Sequence, residues 1–428
     1  MSNENEREIV LDTLLLITRD NEYSHIALKS VLDKYGYLDK RSRSFVSKAV
    51  NGTLERMIEI NYIINTFSTV KVNKLKPVIR AILQSSIYQI KYMDHVPDSA
   101  ICNEAVKLTG KRGFKNLKGF VNGVLRNISR NKDSIELNTL ELKYSLPKWI
   151  VDMWSENYSK ETICRMGEYF LNDAPLYIWF NKARISAEDL IDKLKLEGVD
   201  ASRVDDIPCA LQITKIDSFE RLESFNNGYY SIQDISSMLV ELRAKPKEKD
   251  IVLDVCAAPG GKAIHFAEDL NGTGEVIARD ISEYKTSLIQ SNIDRSGLMN
   301  IKTEVWDATV PDESRIDSID IVVADLPCSG LGVIGRKPDM KYKVEKKDIY
   351  SLSGLQRDIL AIVKQYVKPG GKLIYSTCTI TREENQENTK WFLKGNPEFA
   401  LKYEEQRIPG VDIGDGFYIA IFERAVNE

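Results

Sequence analysis

The sequence predicts a multidomain chain with an all-α N-terminal domain, a small α+β middle module and a C-terminal α/β domain built on a mostly parallel sheet. Three observations predict it. The 428 residues are too many for a single core when domains run to roughly 150 residues. Apolar residues recur at helical spacing from Glu6 to about Arg130, the mark of amphipathic helices. From Gly228 onward strand-like and helix-like segments alternate, which specifies a parallel sheet covered by helices on both faces.

The N-terminal domain, expected over residues 1–135, shows its helical period in three runs: Ile9, Val10, Leu14 and Ile17; Phe45, Val46, Val50, Leu54, Met57 and Ile58; and Val78, Ile79, Ile82, Leu83, Ile87 and Ile90. Gly36, Pro77 and Pro97 fall between or at the start of such runs, and Gly110 and Gly113 open the next segment. Residues 136–227 read as a linker and small α+β module. Pro147 in SLPKWIVDMW starts a helix rather than breaking one. A strand at 176–180, a helix from Ala187 to Leu196 and a strand near Ala210 to Ile213 follow.

The third domain, 228–428, carries the strands IVLDV, EVIAR, IKTEV, IDIVVADL, KLIYS and FYIAIFE. Helices are expected from Lys262, from Glu283, around Gln356 to Tyr366 and from Glu383. In such sheets ligands bind outside the carboxyl ends of the strands.

Composition sets limits. With 43% hydrophobic and 29% charged residues, and no run near the ~20 apolar residues of a membrane span, a water-soluble globular protein with no membrane partner is expected. MSNENEREIV has no basic region leading into an apolar run, so the expected location is cytoplasmic. A monomer is the default. The six cysteines include no Cys-x-x-Cys pair, and only three histidines accompany them, so no metal site is expected. Cys102, Cys164 and Cys209 sit in apolar surroundings and read as core.

A net charge of −4 argues mildly against nucleic acid, which is gripped mainly through Lys and Arg. Distribution argues the other way. Lys107, Lys111, Arg112, Lys115, Lys118, Arg126, Arg130 and Lys132 fall in one segment without an acid, and its +8 leaves −12 on the rest of the chain. Such a segment is either a solvated helix face or a phosphate-binding surface.

In LDVCAAPGGK, Pro259, Gly260 and Gly261 form the turn from strand to helix, where glycines let backbone approach a ligand. The G-x-G-x-x-G fingerprint is absent, which disfavours NAD or FAD. Asp254, Asp280, Asp307 and Asp325 stand at the ends of consecutive strands. Asp280 can accept both ribose hydroxyls and Asp307 can reach an adenine edge. The pattern fits an adenosine ligand without phosphate, a description that S-adenosylmethionine meets. Cys328, after ADLP, and Cys378, after IYST, lie beyond strand ends; if those strands are neighbours, both thiols overlook one crevice. Cys256 reads as support for the cofactor loop. A thiolate adding to carbon 6 of a pyrimidine makes carbon 5 nucleophilic enough to take a methyl group, and a protonated or proton-sharing Asp325 suits donation to ring nitrogen 3. Chemistry alone does not choose between the two thiols.

LDVCAAPGGK, ADLPCSGLG and YSTCT, in that order, resemble the RNA cytosine-5 methyltransferases of the NOL1/NOP2/Sun group. VPDSAICNEAVKLTGKRGFKNLKGFVNGVLRN is similar to a NusB-type RNA-binding domain, and SLPKWIVDMW, GYYSIQDISSMLV and PGVDIGDGFYIA resemble the bacterial Sun/RsmB-type enzymes. The resemblance spans nearly the whole chain. It implies a NusB-like helical domain, an RRM-like α+β module and a Rossmann-like class I methyltransferase domain acting on a cytosine of small-subunit (16S) ribosomal RNA. By the same resemblance Cys378 is the nucleophile and Cys328 assists proton removal or product release, whereas DNA cytosine-5 methyltransferases attack with the proline-cysteine thiol. It assigns Cys256, Ala257, Ala258, Pro259, Gly260, Gly261, Lys262, Asp280, Asp307 and Asp325 to S-adenosylmethionine. Gly335 departs from the pattern, a basic residue being usual there, which implies an altered substrate grip. Transfer RNA would suit the same motifs, and an RNA-binding factor without catalysis is the alternative that Cys378 discriminates against.

Overall fold

The computed structural model describes residues 6–205, 207–214, 216 and 218–426. They form two compact units, one made of the residues up to Asp173 together with Ile334–Lys343, the other of Ala174–Val333 together with Val344–Glu428.

The first unit is helical. Seven long helices run Glu6–Thr18, Ser24–Lys34, Lys40–Glu55, Met57–Phe67, Pro77–Tyr92, Asp98–Lys111 and Lys118–Asn131. Pro77 occupies the first turn of its helix, where its fixed φ is already helical and its missing N–H is not needed. That helix is the core of the unit, with Ile79, Ile82, Leu83, Ile87 and Ile90 buried together with Gln84 and Gln89. Pro147 precedes the helix Lys148–Ser155 as its cap, so the expected start is borne out. That helix and Lys160–Leu171 belong to this unit.

So does the excursion Ile334–Lys343, which satisfies helix ends. Asp339 accepts from the Ser24 backbone N at 3.0 Å and from the Ser24 hydroxyl, at the start of Ser24–Lys34. Lys341 Nζ donates to the Glu55 carbonyl at 2.7 Å and the Tyr342 hydroxyl to the Leu54 carbonyl at 2.8 Å, at the end of Lys40–Glu55, where carbonyls lack intrahelical partners.

In the second unit a small antiparallel sheet takes strands β1 (Leu176–Phe180), β2 (Asp200–Arg203), β3 (Ala210–Thr214) and β4 (Tyr230–Ile232) in the order β2-β3-β1-β4. Sequence reading missed β2, a mostly exposed edge strand of sequence DASR without apolar alternation, and β4, only three residues long. The helix Ala187–Leu196 is capped by Ser186, which accepts from the Asp189 N–H.

The large sheet comprises β5 (Ile251–Asp254), β6 (Glu275–Asp280), β7 (Ile301–Val305), β8 (Ile319–Asp325), β9 (Val367–Thr377), β10 (Phe399–Arg407) and β11 (Phe417–Arg424). Their order is β10-β11-β9-β8-β5-β6-β7. β5 to β9 pair in parallel, and β10 and β11 run antiparallel to their neighbours. β10, FALKYEEQR, was not anticipated, because a charge-rich edge strand hides its period among polar residues. The helix expected around Gln356 begins earlier, at Lys346, and the one expected from Glu383 begins at Gln386. Two cores sandwich the sheet: Val252, Val276, Ile321, Val323 and Ile374 face one side, and Leu253, Ile277, Val322, Leu373 and Tyr375 face the other. This alternation is what parallel strands buried on both faces require. Among the described residues no helix is long and apolar enough to cross a membrane.

Candidate active site

The chain lays β5, β6 and β7 outward in one direction, then returns to place β8 and β9 on the other side of β5. The sheet therefore reverses between β5 and β8, and a crevice opens at the carboxyl ends of strands at such a reversal. The loop after β5 is Val255–Gly260, leading into the helix Gly261–Asp269, and the loop after β8 begins at Leu326. β8 and β9 are neighbours, with Asp325 opposite Ser376.

That register brings the two thiols together. Cys328 Sγ and Cys378 Sγ lie 3.2 Å apart. The backbone holds the loops in place, since Gly332 N donates to the Cys378 carbonyl at 3.1 Å and Gly416 N to the Gly332 carbonyl at 2.9 Å. The hydrogen bond to Cys378, burial, and the charges of Cys378 and Glu384 push the Cys328 thiol well above its usual range.

Lys262, expected to contact cofactor, lies in the crevice against Asp325, another residue of that expected set. Its Nζ donates to Asp325 Oδ2 at 2.7 Å. Burial opposes its charge, but the facing Asp325, with Asp254 and the Cys378 thiol nearby, outweighs burial and holds the ammonium above its ordinary pKa. Asp325 Oδ1 accepts from the Ser376 hydroxyl at 2.8 Å. Both oxygens of Asp325 thus have donors within reach, the Lys262 ammonium and the Ser376 hydroxyl. Asp254 is the carboxyl poised to keep a proton: burial and the neighbouring Asp325 raise it to about 7.

The cofactor-loop residues cluster as expected in position. Cys256, Ala257, Ala258, Pro259, Gly260 and Gly261 connect β5 to the following helix. Gly260 has φ +104°, which only glycine adopts without strain, and the Ala258–Pro259 peptide is cis. A side chain on Gly261 would meet Gln233 Oε1 at 2.9 Å, an oxygen that is buried without a hydrogen-bond partner. Burial, then the charges of Asp254, Asp280 and Asp325, push the Cys256 thiol far up.

Asp280 ends β6 and is buried, accepting from Ala258 N at 3.0 Å, Ile281 N at 2.8 Å and Lys285 Nζ at 2.9 Å. Asp307, two residues past β7, accepts on Oδ1 from the Thr309 N–H and hydroxyl. In sheet order the four carboxylates run Asp325, Asp254, Asp280, Asp307. Acceptors dominate, and the ammonium of Lys262, in the first turn of the helix after β5, is bound to Asp325. These residues fit an adenosine with hydroxyl and amine donors and no phosphate: the loop 256–261 and Asp280 would hold its ribose side and Asp307 its base.

Sequence reading missed several residues here. Glu384, Gln356, Ser329, Thr381 and Asn385 are buried or nearly so and bonded around the two cysteine loops. The signal for Thr381, Glu384 and Asn385 was their place close behind YSTCT, and for Ser329 its place after Cys328; Gln356 carried none. Of the remaining cysteines, Cys102 and Cys209 are buried as expected, while Cys164 is only partly so. Cys209 is more than packing, because Lys182 lies beside its thiol.

The basic segment is acid-free along the chain but not in space. Lys107 pairs with Glu104 at 2.7 Å, Lys111 with Glu8 at 2.6 Å, Arg112 with Asp12 at 2.7 Å and Lys132 with Asp98 at 3.2 Å. This corrects the picture of eight uncompensated charges, since helix packing brings in carboxylates remote in sequence. Among the described residues Lys115, Lys118, Arg126 and Arg130 meet no carboxylate, and all four are exposed.

Comparison with known proteins agrees with this architecture. Residues 241–423 match the 16S rRNA methyltransferase RsmB/F model, 4–130 the NusB family and 146–219 an RsmF/B-like ferredoxin-like domain. The ferredoxin-like match describes the small sheet, in line with the expected α+β module. The chain is 36% identical over 417 residues to the probable ribosomal RNA small subunit methyltransferase B of Bacillus subtilis, covering 96% of this chain and 93% of that protein. It is 29% identical to the protein so named from Synechocystis, covering 98% and 99%. Among solved structures, PH0851 superposes with a TM-score of 0.83 at 24% identity over 99% of both chains. NSun6 from Pyrococcus horikoshii with SFG superposes at 0.59 and 23% identity over 66% of this chain and 99% of that one. These two show a shared fold. The chain belongs to the ribosomal RNA small subunit methyltransferase B family, a family of S-adenosylmethionine-dependent methyltransferases.

Proposed function

We propose that the protein methylates carbon 5 of a cytosine in 16S ribosomal RNA, with Cys378 as nucleophile and Cys328 as the thiol that assists release. The observation that carries this is the thiol pair, 3.2 Å apart, beside the Lys262–Asp325 ion pair at the sheet reversal. Carbon 5 of cytosine is a poor nucleophile, and covalent addition of a thiolate at carbon 6 is the remedy that amino-acid side chains offer.

Cys378 Sγ forms a bond to carbon 6, and the electron pair of the 5,6 double bond moves into the ring toward nitrogen 3 and the carbonyl oxygen. Lys262 stands where a cation stabilises that charge, while Asp325, an acceptor in this structure, suits the exocyclic amine. The cofactor supplies an electrophilic methyl group on a sulfonium. Carbon 5 then carries both the methyl group and its original proton. Water in the crevice accepts that proton, the electron pair of the carbon–hydrogen bond re-forms the 5,6 double bond, and the bond from carbon 6 to Cys378 Sγ breaks with its electrons on sulfur. Cys328, within hydrogen-bond reach of that sulfur, helps this last phase.

The test is methyl transfer to 16S ribosomal RNA with denaturing gels. Cys378→Ala should abolish both the 5-methyl product and any protein–RNA adduct, and Cys328→Ala should accumulate the adduct. Intact methyl transfer by Cys378→Ala would overturn the reading.

A further inference from the structure

Glu384 is fully buried, yet four donors reach its carboxylate. Oε1 accepts from the Ser329 N–H at 2.8 Å and from Gln356 Nε2 at 3.2 Å; Oε2 accepts from the Ser329 hydroxyl at 2.6 Å and the Thr381 hydroxyl at 2.6 Å. Ser329 follows Cys328, and Thr381 lies three residues past Cys378. A second tie joins the same loops, the Ser329 and Thr379 hydroxyls being 2.7 Å apart. Gln356 also donates to the Pro327 carbonyl at 2.9 Å, the residue before Cys328. None of the four donors is a cation, so an ionised Glu384 carries its charge uncompensated beside Cys328. Burial is the larger influence and raises the Glu384 carboxyl, while the hydrogen bonds from Ser329, Thr381 and Gln356 to both oxygens oppose that rise and support the ionised form.

The thiols therefore lie in an asymmetric field. Facing Cys328 are the Cys378 thiol, Glu384 and the Tyr375 hydroxyl. Cys378 has Cys328 and Lys262 among its neighbours, and Lys262 is itself paired with Asp325. Glu384 beside Cys328 raises that thiol, which favours keeping the proton that the pair shares on Cys328.

We propose that Glu384 is the positioning residue of the thiol pair, clasping both cysteine loops at their spacing and keeping the shared proton on Cys328, so that the thiolate resides on Cys378. This rests on the reading of Cys378 as the attacking thiol. Glu384 touches no reacting atom and acts through Ser329 and the field it sets.

The test is alkylation of the full-length chain by iodoacetamide across pH, with the peptides containing Cys328 and Cys378 followed by mass spectrometry. In the parent protein Cys378 should react first. Glu384→Gln keeps the size and removes the charge; at pH 8 the ratio of Cys328 to Cys378 alkylation should rise about tenfold, the effect of one unit of relative acidity. Its kcat for methyl transfer should fall about 100-fold, as for a misplaced reacting group, with KM for RNA within twofold. Glu384→Asp, which keeps the charge, should restore the parent order of alkylation. A folded Glu384→Gln with the parent alkylation order and kcat would overturn the proposal. If that variant does not fold, a folded Glu384→Asp that alkylates Cys328 first would overturn it too. Failure of the parent reading is distinguishable: methylation by Cys378→Ala would remove the nucleophile assignment while leaving the alkylation shift intact.

Discussion

Gly332 offers a sharp test of how the site is held, because no side chain fits there. A Cβ on it would lie 2.2 Å from the Gly416 carbonyl oxygen and 2.8 Å from the Cys378 carbonyl oxygen. Both are backbone atoms, so neither can rotate away. Carbon–oxygen contacts close at about 3.3 Å, so Gly332→Ala demands about 1 Å of separation. The same approach carries two backbone hydrogen bonds, from Gly332 N to the Cys378 carbonyl and from Gly416 N to the Gly332 carbonyl. Losing both at ~1 kcal/mol each, on top of overpacking at ~1–3 kcal/mol, gives a loss of about 3–5 kcal/mol. For a unit of this size that is a fall in Tm of about 10 °C. Because the strain falls on the carbonyl of Cys378 itself, methyl transfer should drop about 100-fold, the order expected for a 1 Å misplacement. The assay is thermal unfolding alongside single-turnover methylation. Gly354→Ala is the control: it sits on the helix Lys346–Val363 with nothing within 4 Å and should stabilise by about 0.5–1 kcal/mol. A Gly332→Ala protein with parent Tm and parent rate would refute the close approach of the two loops.

Lys262→Met should lower methyl transfer about 100-fold, in the range for removing one electrostatic stabiliser, with cofactor affinity by calorimetry changed less than threefold; a large loss of cofactor binding would return Lys262 to the cofactor. Asp254 releases its proton near 3.8 when unfolded and near 7 when folded, so the folded state binds more protons between those values. Its contribution is therefore present at low pH and lost as pH rises through 7, at most about 1.4 kcal/mol per pH unit. Asp254→Asn should flatten the fall of Tm over that window, and an unchanged slope counts against the buried protonated carboxyl. Neutralising Arg126 and Arg130 should reduce the salt slope of RNA binding by about one unit or a little less per lost phosphate contact, whereas Lys111→Ala should act first on Tm, because it strips a cation from the buried Glu8.

Periodicity and strand-end chemistry were legible because they are local. The helical run through Ile79, Ile82, Leu83 and Ile87 and the alternating units from Ile251 onward each declare themselves within a few turns. Polar strands were not. β2 and β10 are edge strands, each paired with the next strand along the chain, and their polar composition conceals them. Remoteness hid the pairing of the basic segment: Glu8 and Asp12 lie about a hundred residues from Lys111 and Arg112 and meet them only when the helices pack. The pairing of Asp325 with Lys262 was not anticipated, because Lys262 stands 63 residues away on the helix that follows a different strand.

Motif order alone left the two thiols equivalent, and resemblance distinguished them by precedent. A physical distinction requires something that differs between the two sulfurs, and their mutual contact does not, being shared. What differs is what stands behind each. Lys262 is tethered by Asp325 on β8 yet lies near Cys378, whereas Glu384, reached across the Cys378 loop, grips the residue after Cys328. Each loop is thus governed by a charge rooted in another segment. The bias therefore belongs to the two positions, set by what surrounds each, and not to the cysteines that occupy them.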